Sequence, residues 1–191
     1  MALATRSTGK GVQILEAAVR VLRERGLGGF KVEDVAKAAE VGKGTVYLYF
    51  KDKRDLLRAA VEHRAQGFYR EAEEVTTGEG SFESRLRELL ARRVAFVEEW
   101  RGLWGAVVAE VAGGREKRAW LQELHGRYQR ILEAFVADGV RRGELRADLD
   151  ARLAAAALAA LGCSPMLDEI DRGAFLDQLV EVWMRGVGAK T

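Results

Sequence analysis

The stretch VEDVAKAAEVGKGTVYLYFKDKRDLL, residues 32–57, decides how this chain is read. Val32, Val35, Ala36 and Ala39 repeat at helical spacing. EVGK breaks that repeat, and a second short helix is expected from about Gly44 to Phe50. Two helices joined by a tight turn make a helix-turn-helix, whose second helix enters the major groove of DNA. Ala36 and Ala39 are small enough for the helices to cross closely. Val41 fills the corner, and Val46 and Phe50 plug the core beneath. Lys43, Thr45, Tyr47, Leu48 and Tyr49 are left to face outward or sit at the rim.

Those residues carry suitable chemistry. Lys43 can pair with a phosphate, and Gly44 lets the backbone approach closely. Thr45 can touch a phosphate, a base edge or a thymine methyl. A tyrosine hydroxyl can bond a phosphate while its ring packs on the protein. Lys51, Lys53 and Arg54 add charge at the start of the next helix. The same pattern also fits an ordinary amphipathic segment with Tyr47 and Tyr49 at the core edge, and residue pattern alone leaves both readings open.

Outward from this stretch the pattern stays helical. Of 191 residues 48% are hydrophobic, and proline occurs once, at Pro165, so long helices are expected. Ile14, Ala18, Val21 and Leu22 form one stripe, with Gly26 as its C-terminal stop. Asp52 can cap a long helix that turns Leu56, Leu57, Val61 and Phe68 inward. A loop is expected at TTGEGS, residues 76–81, then a stripe from Phe82 through Leu86, Leu89, Leu90 and Val94 to Val97. A break at Gly113–Gly114 precedes a long helix carrying Leu121, Leu124, Tyr128, Ile131, Leu132 and Phe135. Asp148 is the expected N-cap of a small-residue helix over 149–162, which GCSP ends. Phe175, Leu176, Leu179, Val180, Trp183 and Val187 mark the last helix. No segment alternates strictly. The expectation is an all-α chain of about nine helices. A three-helix DNA-binding head spans 1–52, and a ligand-binding and dimerisation bundle spans 53–191, joined by a connecting helix over about 52–75.

Charge divides the same way. The net charge is +2, yet residues 1–64 hold 13 Lys/Arg against 8 Asp/Glu, and the remainder 18 against 21. A basic head on a mildly acidic body is the footprint of a nucleic-acid binder. The lone cysteine, Cys163, sits among apolar residues and permits no internal disulfide. With no signal-like start and no apolar run of about 20 residues, a cytoplasmic protein is expected. His63 and His125 lie in different segments without metal-ligand spacing, and there is no phosphate loop or nucleophile elbow. No catalytic residue, metal or cofactor is expected. The other class open to the chain is a non-enzymatic helical interaction or adaptor protein without a specific operator. A membrane-surface binder would string its cations along one long amphipathic face, whereas here they cluster around a short helix.

The run AKAAEVGKGTVYLYFKDKRDLL, residues 36–57, resembles the helix-turn-helix signature of TetR-family transcriptional regulators. ILEAAVRVLRERGLGGF, residues 14–30, resembles that family's first helix. The resemblance implies a homodimer binding a pseudo-palindromic DNA operator, usually as a repressor, released when a small-molecule effector moves the connecting helix. It implies DNA contacts at Lys43, Gly44, Thr45, Tyr47, Tyr49 and Lys53. Thr45 and Tyr47 would face the groove, and the others the phosphates. YLYFKDKRDLL (47–57) and GVRRGELRADLDARLA (139–154) are similar to the acyl-CoA-responsive, fatty-acid-metabolism branch, though such phrases occur in other branches.

Three positions depart from the family pattern. Lys31 stands where a Ser or Thr often caps the second helix. Glu40 occupies a turn position where glycine is frequent, and a positive φ there is strained. Gly42 replaces the usual serine N-cap of the recognition helix, at a cost of a few tenths of a kcal/mol.

In the bundle, the alanine-rich 149–162 segment and the last helix, about 171–188, are expected to form the homodimer interface. Phe175, Leu179, Trp183 and Val187 are its expected apolar residues on the last helix, and burial within one subunit is the alternative. Phe96, Trp100, Trp104, Trp120, Leu124 and Tyr128 are candidate effector contacts, although plain core packing is the commoner role for any one of them. Arg92, Arg93 and Arg101 could meet an acidic effector head or lie on a solvated face.

Overall fold

A computed structural model describes residues 9–100, 103–111, 114–161 and 171–188. Among them nine helices follow one another and no strand forms, as expected of an all-α chain. They are α1 (Lys10–Gly29), α2 (Val32–Ala38), α3 (Lys43–Tyr49), α4 (Lys53–Thr77), α5 (Phe82–Glu99), α6 (Trp104–Val111), α7 (Gly114–Arg141), α8 (Ala151–Leu161) and α9 (Arg172–Val187). Cys163, Pro165 and Arg101 lie outside the described residues. The chain forms two compact units, Met1–Gly67 with Glu99–Gln122, and Phe68–Glu98 with Glu123–Thr191. Helix α4 gives its first part to one and its remainder to the other.

The first unit buries Ile14, Ala18, Val21 and Leu22 of α1 together with Val35, Val46, Phe50, Leu56 and Leu57. Gly26 adopts φ 66° and ψ 178°, a left-handed φ that glycine takes without a Cβ penalty. It kinks α1 rather than ending it, because residues 27–29 add one more turn, closed by Phe30 N–H donating to the Leu27 carbonyl at 3.3 Å. Two side chains of α1 reach the end of α2, where carbonyls lack helical partners. Gln13 Nε2 donates to Ala39 O at 2.9 Å and Arg20 Nη2 to Ala38 O at 2.8 Å. Asp52 caps α4 as expected, accepting from Asp55 N–H at 2.8 Å, while the Asp55 carboxylate accepts from Lys51 N–H at 2.9 Å. Glu99, at the end of α5, takes three hydrogen bonds of 2.8–3.3 Å from Arg64 and lies 3.5 Å from Arg23 Nε.

The second unit is centred on an aromatic stack. The Phe82 ring lies 4.1 Å from Phe135 and 5.5 Å from Trp183, centroid to centroid, joining α5, α7 and α9. Trp183 is therefore core, not interface, which corrects its expected place on the dimer face. Two boundaries also differ from expectation. The loop begins at Gly78: α4 runs through Thr77, and the hydroxyls of Thr76 and Thr77 bond back within it to Ala72 O and Glu73 O at 2.9 and 2.8 Å. The N-cap of α8 is Asp150, whose Oδ1 accepts from Leu153 N–H at 2.9 Å; Asp148 stands outside the helix.

Candidate functional site

The turn between α2 and α3 is a Schellman closure. Val41 N–H donates to Ala36 O at 3.0 Å and Glu40 N–H to Lys37 O at 3.2 Å. The residue that ends such a helix must be left-handed, and Glu40 has φ 53°. It is the non-glycine residue with positive φ among the described residues. The strain expected from the sequence is thus present. Glu40→Gly should raise stability by about 1 kcal/mol, because glycine carries no Cβ penalty at that φ. Chemical denaturation checks it, and an unchanged midpoint would mean Glu40 is already compensated.

Gly42 is the N-cap of α3, with extended backbone and no side-chain cap. Lys31 likewise precedes α2 without a side-chain cap bond. Val46 faces inward with Phe50, while Lys43, Gly44, Tyr47 and Leu48 are exposed and Thr45 and Tyr49 half-buried. Lys51, Lys53 and Arg54 are exposed just beyond, with Lys53 Nζ 5.9 Å from the Phe30 ring. The six residues marked for DNA contact therefore share one short segment with three further features: an apolar root, an aromatic rim and a cationic flank.

The fold adds a partner that sequence reading missed. Lys43 Nζ sits 2.5 Å from Glu33 Oε1 in the first turn of α2, and 5.9 Å from the Tyr47 ring. The hydrogen bond from Lys43 holds the Glu33 carboxyl below the usual carboxylate range, and Glu33 in turn raises the Lys43 ammonium. The pair's stabilisation is present between those two ranges. It fades as pH falls through the lowered Glu33 pKa, and again as pH rises through the raised Lys43 pKa. A phosphate must displace Glu33 to claim Lys43. Glu33→Gln should therefore strengthen DNA binding several-fold at low salt, with a gain that shrinks as salt rises. Equal affinity in a binding titration would mean Lys43 does not meet phosphate.

The candidate effector residues fall in both units. In the second, Phe68 stacks on Phe96 at 4.5 Å and lies 5.2 Å from Tyr128, with the Arg93 guanidinium 5.2–5.9 Å from all three rings. Leu124 is half-buried, and its carbonyl accepts from Tyr69 Oη at 2.6 Å. Burial pushes the Tyr69 hydroxyl's pKa up, partly offset by Arg93 and Arg127. In the first unit, Trp120 is buried and its indole N–H donates to Glu62 at 2.7 Å. Trp100 is buried too, and its Nε1 has no acceptor among the described residues. Trp104 begins α6, and its side chain lies outside the described residues. Arg92 pairs with Glu88 at 2.6 Å on the surface, as a solvated residue does. Phe68 and Tyr69 were missed as members of this group, because their spacing marks them only as core.

A short exposed helix rooted by Val46 and flanked by cations, behind a Schellman turn, defines a helix-turn-helix DNA-binding protein. The family described as bacterial regulatory proteins, tetR family, matches residues 14–60, and the tetracyclin repressor-like C-terminal domain matches residues 79–164. The fatty acid metabolism regulator protein of Bacillus subtilis (strain 168) is 30% identical over 148 residues, 76% of this chain and 75% of that protein. The transcriptional regulator FadR from Bacillus subtilis, in complex with stearoyl-CoA, has a similar structure: TM-score 0.68 at 26% identity, over 92% of this chain and 98% of that one. The reduced form of E. coli NemR shares the fold, with TM-score 0.73 at 17% identity over 96% of this chain and all (100%) of that one. The chain belongs to the TetR family of bacterial transcriptional regulators. It is a DNA-binding transcriptional regulator, not an enzyme. No helix among the described residues is long and apolar enough to cross a membrane.

Proposed function

We propose that the protein is a homodimeric repressor that binds a pseudo-palindromic operator and is released by a long-chain acyl-CoA. Residues 1–52 serve as the DNA-binding head, and residues 53–191 hold the effector and the dimer interface. Lys43, Gly44, Thr45, Tyr47, Tyr49 and Lys53 contact DNA. The observation that carries the effector class is the likeness to a relative named for fatty acid metabolism and to a structure holding stearoyl-CoA. The buried Trp100 indole N–H adds support, since it has no acceptor among the described residues and a buried donor calls for a partner.

Dimerisation is supported by exposure. Helix α8 leaves Leu153 69% exposed beside Ala156, Ala157 and Ala160, and α9 leaves Val182 66% exposed. The test is selection of bound DNA from a random pool with ligand-stripped protein, then titration of the selected site with stearoyl-CoA, free CoA and stearate. A palindromic consensus released by stearoyl-CoA is the expected result. Binding unaffected by all three overturns the effector class and leaves the operator reading standing. An asymmetric consensus, or none, overturns the dimeric operator.

A further inference from the structure

Leu48 is 84% exposed, more than the other large hydrophobic residues at the surface among the described residues. A helix fold explains why it cannot turn inward: two positions from Val46 it lies on the opposite face of α3. Along that outer face it shares a strip with Gly44 and Thr45, its neighbours at four and three residues. Gly44 has open space where a Cβ would stand, so the strip is hollow beside Leu48. Cations flank it at Lys43, Lys51, Lys53 and Arg54, all exposed, so the surface as a whole suits a polyanion. Yet an isobutyl group offers nothing to a phosphate or to a base-edge donor or acceptor. The one apolar group that base edges present in the major groove is the thymine C5-methyl.

We propose that Leu48 is a specificity-determining residue that reads a thymine methyl in each operator half-site, with the space over Gly44 admitting the base edge. The proposal rests on the operator reading above. Phosphate contacts by the lysines then set register, and Leu48 carries sequence information that they cannot.

The experiment uses the selected operator with each thymine replaced in turn by deoxyuridine, which removes only the methyl. Affinity is measured for the wild-type chain, Leu48→Ala, Leu48→Met and Tyr47→Ala. In the wild type, one position per half-site should lose about fourfold in affinity, the worth of one buried methyl. Leu48→Ala should bind the unmodified operator more weakly and show no further loss at that position. Leu48→Met, which keeps an apolar side chain of similar length, should retain the loss. Its exposure means that Leu48→Ala should melt at the wild-type temperature. A wild type indifferent to every deoxyuridine overturns the proposal, as does a Leu48→Ala variant that keeps the full penalty. So does a penalty abolished by Tyr47→Ala and not by Leu48→Ala. Failure to select any site overturns the operator reading itself, which separates the two outcomes.

Discussion

Leu153→Glu and Val182→Glu should each convert the proposed dimer to a monomer and lower operator affinity by about a hundredfold or more, because a linked second head acts at high effective concentration. The argument begins with exposure. The large hydrophobic residues exposed among the described residues are Tyr47, Leu48, Leu153 and Val182. The first two lie on the recognition helix, and the other two lie on α8 and α9 of the second unit. On α8 the exposed Leu153, Ala156, Ala157 and Ala160 follow the spacing of one helical stripe. Small residues there admit a close partner helix, and a carboxylate placed among them must be desolvated without a counter-charge. Sedimentation velocity and operator titration together decide the outcome. A variant that stays dimeric removes α8 and α9 from the interface. A monomer with full affinity means the protein does not need two heads to hold its site.

Arg85→Leu should destabilise the fold by about 3 kcal/mol, lowering the melting temperature by roughly 10 °C. Arg85 is 3% exposed, yet charged. Its Nη1 donates to Thr76 O at 2.7 Å, and its guanidinium lies 3.6 Å from both Asp138 and Glu144 and 5.1 Å from the Phe135 ring. Glu144 also accepts from Phe82 N–H and pairs with Arg142 at 3.0 Å. One side chain thus ties the end of α4, the start of α5 and the end of α7 within the second unit. Leucine would fill part of the volume, strand the Thr76 carbonyl and take the buried cation from two carboxylates, of which Asp138 keeps Arg141 and Glu144 keeps Arg142. Arg85→Lys should rescue little, since an ammonium cannot span the same acceptors as a planar fork. Thermal melts of the three proteins provide the check. A leucine variant as stable as the wild type would show that desolvating the charges cancels their attraction.

Much of this was legible without coordinates. Periodicity at Ile14, Ala18, Val21 and Leu22, and at Phe82, Leu86, Leu89 and Leu90, marks residues that the fold does bury. Apolar residues three and four apart cannot avoid sharing a helix face. The inward turn of Val46 and Phe50, the cap at Asp52 and the strain at Glu40 were readable for the same local reason. Boundaries that depend on which group wins a backbone bond were not. Thr76 and Thr77 look like loop residues until their hydroxyls are seen bonding the preceding turn. Asp148 and Asp150 are equivalent by composition, and only one meets an amide.

What the sequence determined by itself is the helical class, the head with its outward lysines and tyrosines, and the family, because these follow from short-range spacing and composition. What only the tertiary structure decided concerns residues far apart in the chain. Glu33 meets Lys43 because the Schellman turn folds α2 against α3. Trp183 goes inward because Phe82 and Phe135 stack there, which leaves Val182 outside. Arg85 is buried because three helix ends converge on its acceptors. A one-dimensional pattern records which face of a helix is apolar. It does not record which other segment arrives to cover that face, or which charge arrives with it.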